Sequence, residues 1–252
     1  MKDSPRPKDQ FSLVYEDENI AAFNKSSGLA VKADRWDINR ERLDKLAAEF
    51  LGLEKVFTVH RLDRETSGLV VFAKNPDSHR ELSLAFETRS VEKRYIAIVR
   101  GRPSWKEYSC DLPLVPNGNK KHLTIVDHFQ GKKSLTHFSL IGSAGNYSVL
   151  NAIPETGRTH QIRVHLTNIG YPIVCDEFYG NSKGVFLSSF KRGYKGDPKQ
   201  ERPLLSRLGL HALSLFFPSY GNEGLALTAP ILKDMAALIK QMEKAIKGNW
   251  GF

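Results

Sequence analysis

The alternation of apolar and polar positions predicts that much of this chain forms short strands. Residues 11–15 and 20–23 are two apolar runs, and the polar residues 16–19 between them predict a turn. Residues 93–99 alternate, and residues 108–153 carry only short alternating runs interrupted by Gly and Asn, which is typical of antiparallel strands. Two later apolar runs predict a final antiparallel pair at 208–217 and 225–228.

Other segments have apolar residues at helical spacing. They are residues 42–51, a short segment that begins at Pro76, residues 157–169 and residues 231–246. Thr159 is the predicted N-cap of the third segment, which ends before Pro172. Strands outnumber helices and mostly follow one another, so the predicted fold class is α+β with a mixed, largely antiparallel sheet.

One stretch, residues 60–75, has the sequence HRLDRETSGLVVFAKN and places a carboxylate and a glycine between two predicted strands. Residues 56–62 alternate and residues 69–73 are continuously apolar, so each is predicted to be a strand. Residues 66–68 predict the turn between them, because a glycine at its end can adopt a positive φ. Asp63 should therefore lie on a tight connection between buried strands, where catalytic groups are often held.

The surroundings of Asp63 allow two interpretations. In the first, it caps backbone N–H groups of a surface turn while Arg61 and Arg64 are solvated. In the second, the two arginines keep a partly desolvated carboxylate ionised, as a nucleophile or a base requires. A glycosidase pair with Glu65 is disfavoured because one tight turn leaves little room for a sugar between the carboxylates.

A second polar stretch, residues 154–180, has the sequence PETGRTHQIRVHLTNIGYPIVCDEFYG. Arg163 within it is a candidate buried partner for a carboxylate, although spacing alone fits a structural salt bridge equally well. His160 and His165 are one position away from the i, i+4 spacing of two metal ligands on a helix, so we predict no metal site.

Tyr95 lies at the centre of its predicted strand. A tyrosine at such a position is usually a core residue, but in a nucleic-acid enzyme it could stack on a base. The sequence has no GxSxG elbow, no Walker A loop, no dinucleotide-binding GxGxxG and no HExxH.

The charge of the chain favours a polyanionic partner. Its 252 residues include 37 Lys and Arg against 28 Asp and Glu, a formal net charge of +9. Residues 181–210, predicted to be a long loop, contain seven basic and two acidic residues, a local charge of 7 − 2 = +5. Lys191, Arg192 and Lys195 are its candidate contacts with such a partner; a solvated insertion is the alternative. Two further loops, 115–121 and 127–133, are also basic.

Composition also predicts the compartment. Cys110 and Cys175 lie far apart without a CxxC pairing, so neither a disulfide framework nor a zinc site is expected. Residues 1–10 are polar and predict a flexible lead-in without the apolar core of a signal peptide. No apolar run approaches the roughly 18 residues that span a bilayer. We expect a soluble, cytoplasmic protein without membrane contact.

Residues 60–74, HRLDRETSGLVVFAK, closely resemble the signature of the RluA-type pseudouridine synthases, which isomerise uridine in ribosomal or transfer RNA. Residues 154–180 resemble the second hallmark stretch of that family. The similarity extends to KRYIAIVRG, LGLHALSLFFP and IAAFNKSSGLAV, at 93–101, 208–218 and 20–31. It covers the chain from Phe11 to the last predicted helix.

The resemblance implies a pseudouridine synthase fold, a bent mixed sheet with flanking helices and an active-site cleft, and no metal or organic cofactor. It implies that Asp63 is the catalytic aspartate and that Tyr95 contacts the target base. Arg163 corresponds to the basic residue that pairs with the aspartate. Arg61 corresponds to an arginine that helps to hold the target nucleotide flipped out of its base stack. The implied partner is ribosomal or transfer RNA, bound by a monomer that needs no obligate protein partner.

The sequence departs from the family pattern at three places. Ser26 stands where Pro is usual, Cys175 where Gly is usual and Phe217 where His is common. These changes affect loop geometry and substrate contacts more than the candidate catalytic residues. Many relatives also carry a small N-terminal S4-like RNA-binding domain; we expect none here and expect residues 11–252 to form one catalytic domain.

The predicted function is therefore the isomerisation of specific uridines in 23S ribosomal RNA or transfer RNA. The alternative is a catalytically silent RNA-binding or RNA-folding protein with the same fold. Whether the carboxylate adds covalently or removes a proton from the sugar is open at this stage.

Overall fold

The structure is a computed structural model. It describes residues 10–33, 41–120, 123–197 and 199–251. The lead-in predicted over residues 1–10 lies outside the described residues except for Gln10, and Lys121 of the basic 115–121 loop also lies outside them.

Within those ranges the chain forms twelve strands, four α-helices and a single-turn 3₁₀ helix at Leu187–Ser189. The strands are β1 (Phe11–Glu16), β2 (Ile20–Lys25), β3 (Phe57–Thr58), β4 (Ser67–Ala73), β5 (Glu92–Arg100), β6 (Glu107–Cys110), β7 (Leu114–Val115), β8 (Ile125–Val126), β9 (Thr136–Ala144), β10 (Tyr147–Pro154), β11 (Leu210–Phe217) and β12 (Leu225–Thr228). The helices are α1 (Leu43–Leu51), α2 (Pro76–Glu87), α3 (Gln161–Asn168) and α4 (Lys233–Ile246). None of the helices of the described residues is long and apolar enough to cross a membrane.

The described chain divides into two compact units. The first contains the residues up to 93 together with 211–230. Its strands follow the order β1-β2-β4-β11, with β3 paired to β4 and β12 paired to β11. Every residue of β4 is buried, as expected for a continuously apolar strand covered on both faces. Its core joins β2 and β4 to α2, through buried residues such as Ile20, Val71 and Leu82.

The second unit contains residues 94–210 and those from 231 onward. Its strands are antiparallel, in the order β5-β10-β9-β6, and β7 and β8 form a separate hairpin. The core of this unit includes Ala97, Leu150 and Phe138 from the sheet and Ile162 and Leu166 from α3. The α+β class and the mainly antiparallel pairing predicted from the sequence are confirmed, whereas a single catalytic domain over 11–252 stays a prediction.

Most predicted elements are confirmed within a few residues. The polar 16–19 turn joins β1 to β2, and α2 begins at Pro76 after an Asn75 side chain that accepts the N–H of Ser78. The described residues of the predicted 181–210 loop form a loop up to β11, apart from the 3₁₀ turn. Buried Val185 and Leu205 anchor this loop through an isolated bridge.

The predicted strand at 56–62 is wrong beyond its first residues. Only Phe57 and Thr58 pair with β4, at Ala73 and Phe72. The imidazole Nε2 of His60 accepts the N–H of Val71 at 2.9 Å. A side chain therefore takes the next hydrogen bond of the ladder, and residues 59–63 leave the strand conformation.

The turn predicted at 66–68 is also displaced. Ser67 and Gly68 belong to β4, and the turn precedes them, with the N–H of Thr66 donating to the Asp63 carbonyl at 3.1 Å. The positive φ predicted for Gly68 is confirmed at +114°. A Cβ at this position would lie 2.2 Å from the carbonyl oxygen of Ala212, so a close approach of parallel β4 and β11 requires glycine.

The helix predicted at 157–169 is shorter than expected. Its N-cap is His160, whose φ of 55° is left-handed, and not Thr159. The Gln161 side-chain oxygen accepts the N–H of Arg158 at 3.0 Å and the hydroxyl of Thr156 at 2.7 Å. These bonds fold residues 156–160 into a turn that helical periodicity cannot reveal.

Candidate active site

Asp63 lies in the first unit, on the irregular segment between β3 and β4. Its side chain is half-buried, and the preceding residue, Leu62, is buried with 5 % exposure. Arg61 is exposed, so the arginine before Asp63 faces solvent in the described structure while Leu62 holds the segment against the core. The turn that follows Asp63 leads directly into buried β4.

A buried lysine fixes the turn after Asp63. Lys25 has no exposed surface, and its ammonium donates to the carbonyl oxygens of Ser26 at 3.0 Å, Leu29 at 2.8 Å and Arg64 at 3.0 Å. The N–H of Gly28 also donates to the Arg64 carbonyl, at 2.8 Å. Three carbonyl dipoles compensate the desolvated charge, and together these bonds tie residues 26–29 to the Asp63 turn.

Lys25 was not among the site residues predicted from the sequence. Its signal was weak, because it is a single lysine at the end of an apolar strand, and such residues usually extend to solvent. The Ser27 hydroxyl adds a contact to the Glu65 carbonyl at 2.6 Å. The loop that carries Ser26, where the family usually has Pro, therefore contacts the motif of Asp63 directly.

His60 supports the motif as a neutral hydrogen-bond acceptor. Its ring stacks on Phe86, with centroids 4.6 Å apart, while Nε2 accepts the Val71 N–H. Desolvation, and then the positive charge of Lys93, lower the pKa of His60 to about 3. Since Nε2 accepts a hydrogen bond from the backbone N–H of Val71, the proton of the neutral ring is on Nδ1.

Arg163 lies in the second unit and is held by a bidentate ion pair with Asp176. Nε and Nη2 of the guanidinium donate to the two carboxylate oxygens at 2.9 and 2.8 Å. The two side chains are only 2 % and 1 % exposed. The sequence left a structural salt bridge open for Arg163, and the pair with Asp176 identifies a partner that its spacing did not reveal.

Two aromatic rings and the backbone complete the surroundings of this pair. The guanidinium carbon of Arg163 lies 5.1 Å from the Phe178 ring centroid and 5.3 Å from that of Tyr179. Asp176 Oδ1 also accepts the N–H groups of Phe178 and Tyr179, at 3.0 and 3.1 Å. One carboxylate therefore orients the guanidinium and folds the chain segment that stacks against it.

The histidines of the second hallmark stretch have separate structural roles. His160 Nδ1 shares a hydrogen bond of 2.8 Å with the Tyr179 hydroxyl, which also accepts the N–H of Thr124 at 3.0 Å. His165 contacts the Thr136 hydroxyl at 3.0 Å, and burial lowers its pKa. The described residues hold no cluster of three or more His, Cys, Asp or Glu side chains suited to a metal ion.

The remaining predicted site residues lie in the second unit. Tyr95 is a half-buried residue of β5, opposite Ala152 of β10. Lys191, Arg192 and Lys195 are exposed on the loop that follows the 3₁₀ turn. Asp63 and Arg61 thus belong to one unit, and the other five predicted residues to the second. The predicted association of Asp63 with Tyr95 and Arg163 stays a prediction.

Removing the carboxylate of the buried pair tests the importance of the Arg163 clamp. We expect Asp176→Ala to lower the free energy of unfolding by about 3–5 kcal/mol, because it removes a bidentate counter-charge from a buried guanidinium. Urea titration measures this loss. Arg80→Ala is the control, since its pair with Asp77 is 3.4 Å long and more than four-fifths exposed; we expect a change below about 0.5 kcal/mol. If both variants change the free energy of unfolding by similarly small amounts, the stabilising role of the Arg163–Asp176 pair is contradicted.

The depressed pKa of His60 predicts a pH-dependent stability. The unfolded state binds a proton near pH 6.5 and the folded state only near pH 3, so this contribution is complete above pH 6.5 and is lost as the pH falls toward 3. We expect the free energy of unfolding of the wild type to fall more steeply than that of His60→Gln, by up to about 1.4 kcal/mol per pH unit.

Urea unfolding between pH 7 and pH 4 measures this difference. His165 also has a lowered pKa but is present in both proteins, so the difference between them isolates His60. The exposed His128 provides the control variant His128→Gln, which should follow the wild type. Parallel curves for the wild type and His60→Gln contradict the prediction.

Comparisons with known proteins agree with the motifs and the fold. The sequence model of the RNA pseudouridylate synthase family matches residues 19–168. The chain is 36% identical over 240 residues to ribosomal large subunit pseudouridine synthase D of Zymomonas mobilis, covering 91% of this chain and 72% of that protein. It is 32% identical over 214 residues to the dual-specificity RNA pseudouridine synthase RluA of Escherichia coli, covering 83% of this chain and 89% of that protein.

A solved structure shows the same fold at lower sequence identity. The chain aligns with the structure of human RNA pseudouridylate synthase domain containing 4 at a TM-score of 0.70 and 24% identity, covering 92% of this chain and 93% of that one. The family match spans more than half of the chain and includes Asp63, Tyr95 and Arg163. The protein therefore belongs to the RNA pseudouridylate synthase family.

Proposed function

We propose that this protein converts specific uridines of 23S ribosomal RNA or transfer RNA to pseudouridine, with Asp63 as the catalytic carboxylate. The observation that carries this proposal is the position of the HRLD motif. Asp63 lies inside the family-matched region, on a turn fixed by a buried lysine. Of the relatives named above, one is named a ribosomal large subunit pseudouridine synthase and the other a dual-specificity RNA pseudouridine synthase.

The reaction is an isomerisation, so its atoms balance without a co-reactant. The bond between N1 of uracil and C1′ of ribose breaks, the ring rotates, and a bond between C5 and C1′ forms. C5 loses its hydrogen and N1 gains one. Asp63 would act as the ionised group that either adds covalently or removes a proton from the sugar. No metal or organic cofactor takes part in the proposed mechanism.

Three further residues have proposed roles around the target nucleotide. Tyr95 would contact the uracil ring, Arg163 would pair with the catalytic aspartate, and Arg61 would help to hold the flipped-out state. The geometry of Arg163 supports its role, because a guanidinium fixed by Asp176 and two aromatic rings needs little reordering before it acts. Its buried position also strengthens any charge interaction that it makes.

The basic loop is proposed to contact the RNA backbone. Lys191, Arg192 and Lys195 are exposed, so their ammonium and guanidinium groups can reach phosphates. Buried Phe190 packs edge-on against Tyr147, with centroids 6.1 Å apart, directly beside the three cations. The loop therefore presents its charges from an anchored base, which favours a binding role over a solvated insertion.

Replacing the catalytic carboxylate tests the proposed mechanism. We expect Asp63→Asn to abolish pseudouridine formation, because the amide is neither an ionised nucleophile nor a base. Transcripts of ribosomal and transfer RNA labelled with tritium at uridine C5 report the reaction by release of label to water. RNA affinity, measured by filter binding, should remain within a few-fold of the wild type.

Glu65→Gln is the matched control for this variant. It removes a carboxylate from the same turn whose partner is the adjacent, partly exposed Arg64, at 2.9 Å. Tritium release should stay within a few-fold of the wild type in this control. Near-normal release by Asp63→Asn would show that the catalytic group lies elsewhere, and loss of RNA binding would make the variant a binding defect.

Neutralising the basic loop tests its contact with phosphate. Changing Lys191, Arg192 and Lys195 together to Gln should weaken RNA binding at low salt. The slope of log affinity against log salt concentration should flatten by about 2, because fewer counterions are released. The control changes three exposed lysines of α4 and its C-terminal cap, Lys240, Lys244 and Lys247, to Gln and removes the same charge. Equal slopes for both triple variants contradict the proposed contact.

A further inference from the structure

Phe129 is the most exposed large hydrophobic side chain of the described residues, with 99% of its surface accessible. It lies at the tip of the loop between β8 and β9 in the second unit. Single apolar residues on protein surfaces are common, but a fully exposed phenylalanine at a loop tip gains nothing from burial. If the loop is ordered around Phe129, the exposure of this ring needs another explanation.

The hydrogen bonds of the loop fix the backbone that carries the exposed ring. Asp127 Oδ1 accepts the N–H groups of Phe129 at 2.8 Å and Gln130 at 3.0 Å, and the N–H of Gly131 donates to the Asp127 carbonyl at 2.9 Å. A Cβ at Gly131 would lie 2.1 Å from that carbonyl oxygen, so the reversal is too tight for a side chain. The turn is therefore built before any partner arrives.

The loop is also fixed at both ends. The N–H of Asp127 donates to the Pro113 carbonyl at 3.0 Å. Lys132 and Leu114 exchange two backbone hydrogen bonds, at 2.9 and 3.0 Å. The tip that carries Phe129 is thus a short, closed turn on the β7–β8 hairpin, and binding to it would order few additional residues.

Positive charge lies on the same loop as the exposed ring. Lys132 and Lys133 follow Phe129 in this loop, and both are exposed. Arg158 joins them from the turn before α3, because its Nε and Nη2 donate to the Lys133 carbonyl at 3.4 and 3.3 Å. The acidic residue of the loop, Asp127, accepts the backbone N–H groups of Gln130 and Phe129 with one carboxylate oxygen, and these bonds lower its pKa. An aromatic ring among cations matches the chemistry of single-stranded nucleic acid.

We propose that Phe129 is a stacking platform for an unpaired base of RNA, with Lys132, Lys133 and Arg158 contacting the neighbouring phosphates. Stacking on a phenyl ring tolerates any base, so the platform would position RNA without selecting the modified uridine. The proposal rests on the proposed function, since that function requires contact with unpaired RNA. An acidic protein is the competing partner, but its carboxylates alone would not stack on the phenyl ring, whereas every RNA base has a face that can.

The test measures RNA binding and not turnover. The probe is a labelled twelve-nucleotide oligoadenylate, which has no uridine to modify, and anisotropy reports its affinity at several salt concentrations. We expect Phe129→Ala to weaken binding at least about five-fold with an unchanged salt slope, because stacking releases no counterions. Changing Lys132 and Lys133 to Gln should instead flatten the slope by about 1.

Two further variants complete the design. Phe129→Trp should bind within two-fold of the wild type, and its added fluorescence should be quenched when oligoadenylate binds. Leu84→Ala is the control, because Leu84 is another exposed hydrophobic residue, at 58%, on α2; its affinity should not change. If the wild type does not bind the oligonucleotide, the proposed RNA platform is wrong. If Phe129→Ala binds as tightly as the wild type, the platform is also wrong, and a protein partner for Phe129 is favoured.

This outcome is separable from that of the proposed function. If the wild type releases no tritium but Phe129→Ala loses oligoadenylate binding, the proposed platform stands and only the proposed enzymatic function is wrong. A protein that isomerises uridine with unchanged binding in Phe129→Ala retains its activity and loses the platform.

Discussion

The buried ion pair between Arg163 and Asp176 is the interaction on which the second hallmark stretch depends. A guanidinium that is 2 % exposed would be strongly destabilising without a counter-charge, and Asp176 supplies one through two hydrogen bonds. The same carboxylate accepts two backbone N–H groups and so fixes Phe178 and Tyr179 against the guanidinium. Helix, turn and aromatic rings are therefore organised by one charged pair. In the first unit a buried charge has the same organising effect, since Lys25 binds three carbonyls and holds the turn that follows Asp63.

Sequence periodicity predicted the elements well where the core alone decides their conformation. Strand β4 and helix α2 follow directly from apolar runs and an N-terminal proline. Sequence periodicity is misleading where a polar side chain takes the place of a backbone hydrogen-bonding partner. His60 takes the N–H of Val71 and ends β3, and the Gln161 amide closes the turn before α3. Neither event alters the apolar pattern, so neither is visible in it.

The candidate site shows a similar division. The motif around Asp63 was recognisable because its residues are contiguous, and Gly68 was correctly given a positive φ. Its reason, the close approach of Ala212 from a strand more than 140 residues later, depends on a pairing that local sequence does not encode. Asp176 and Lys25 were missed for the same reason: each acts through partners that only the fold brings near. Phe129 has no signal in the sequence, because its exposure, and not any periodicity, distinguishes it.

The protein carries a half-buried carboxylate, Asp63, beside a fixed turn, a clamped arginine and exposed basic surfaces. We propose that these features serve the isomerisation of uridine in RNA. The most direct measurement is to incubate the purified wild-type protein with unmodified ribosomal and transfer RNA transcripts and to map pseudouridine at single-nucleotide resolution. We expect new pseudouridines at one or a few defined positions. RNA without any new pseudouridine, under conditions where the protein binds it, would show that the protein does not isomerise uridine in these RNAs.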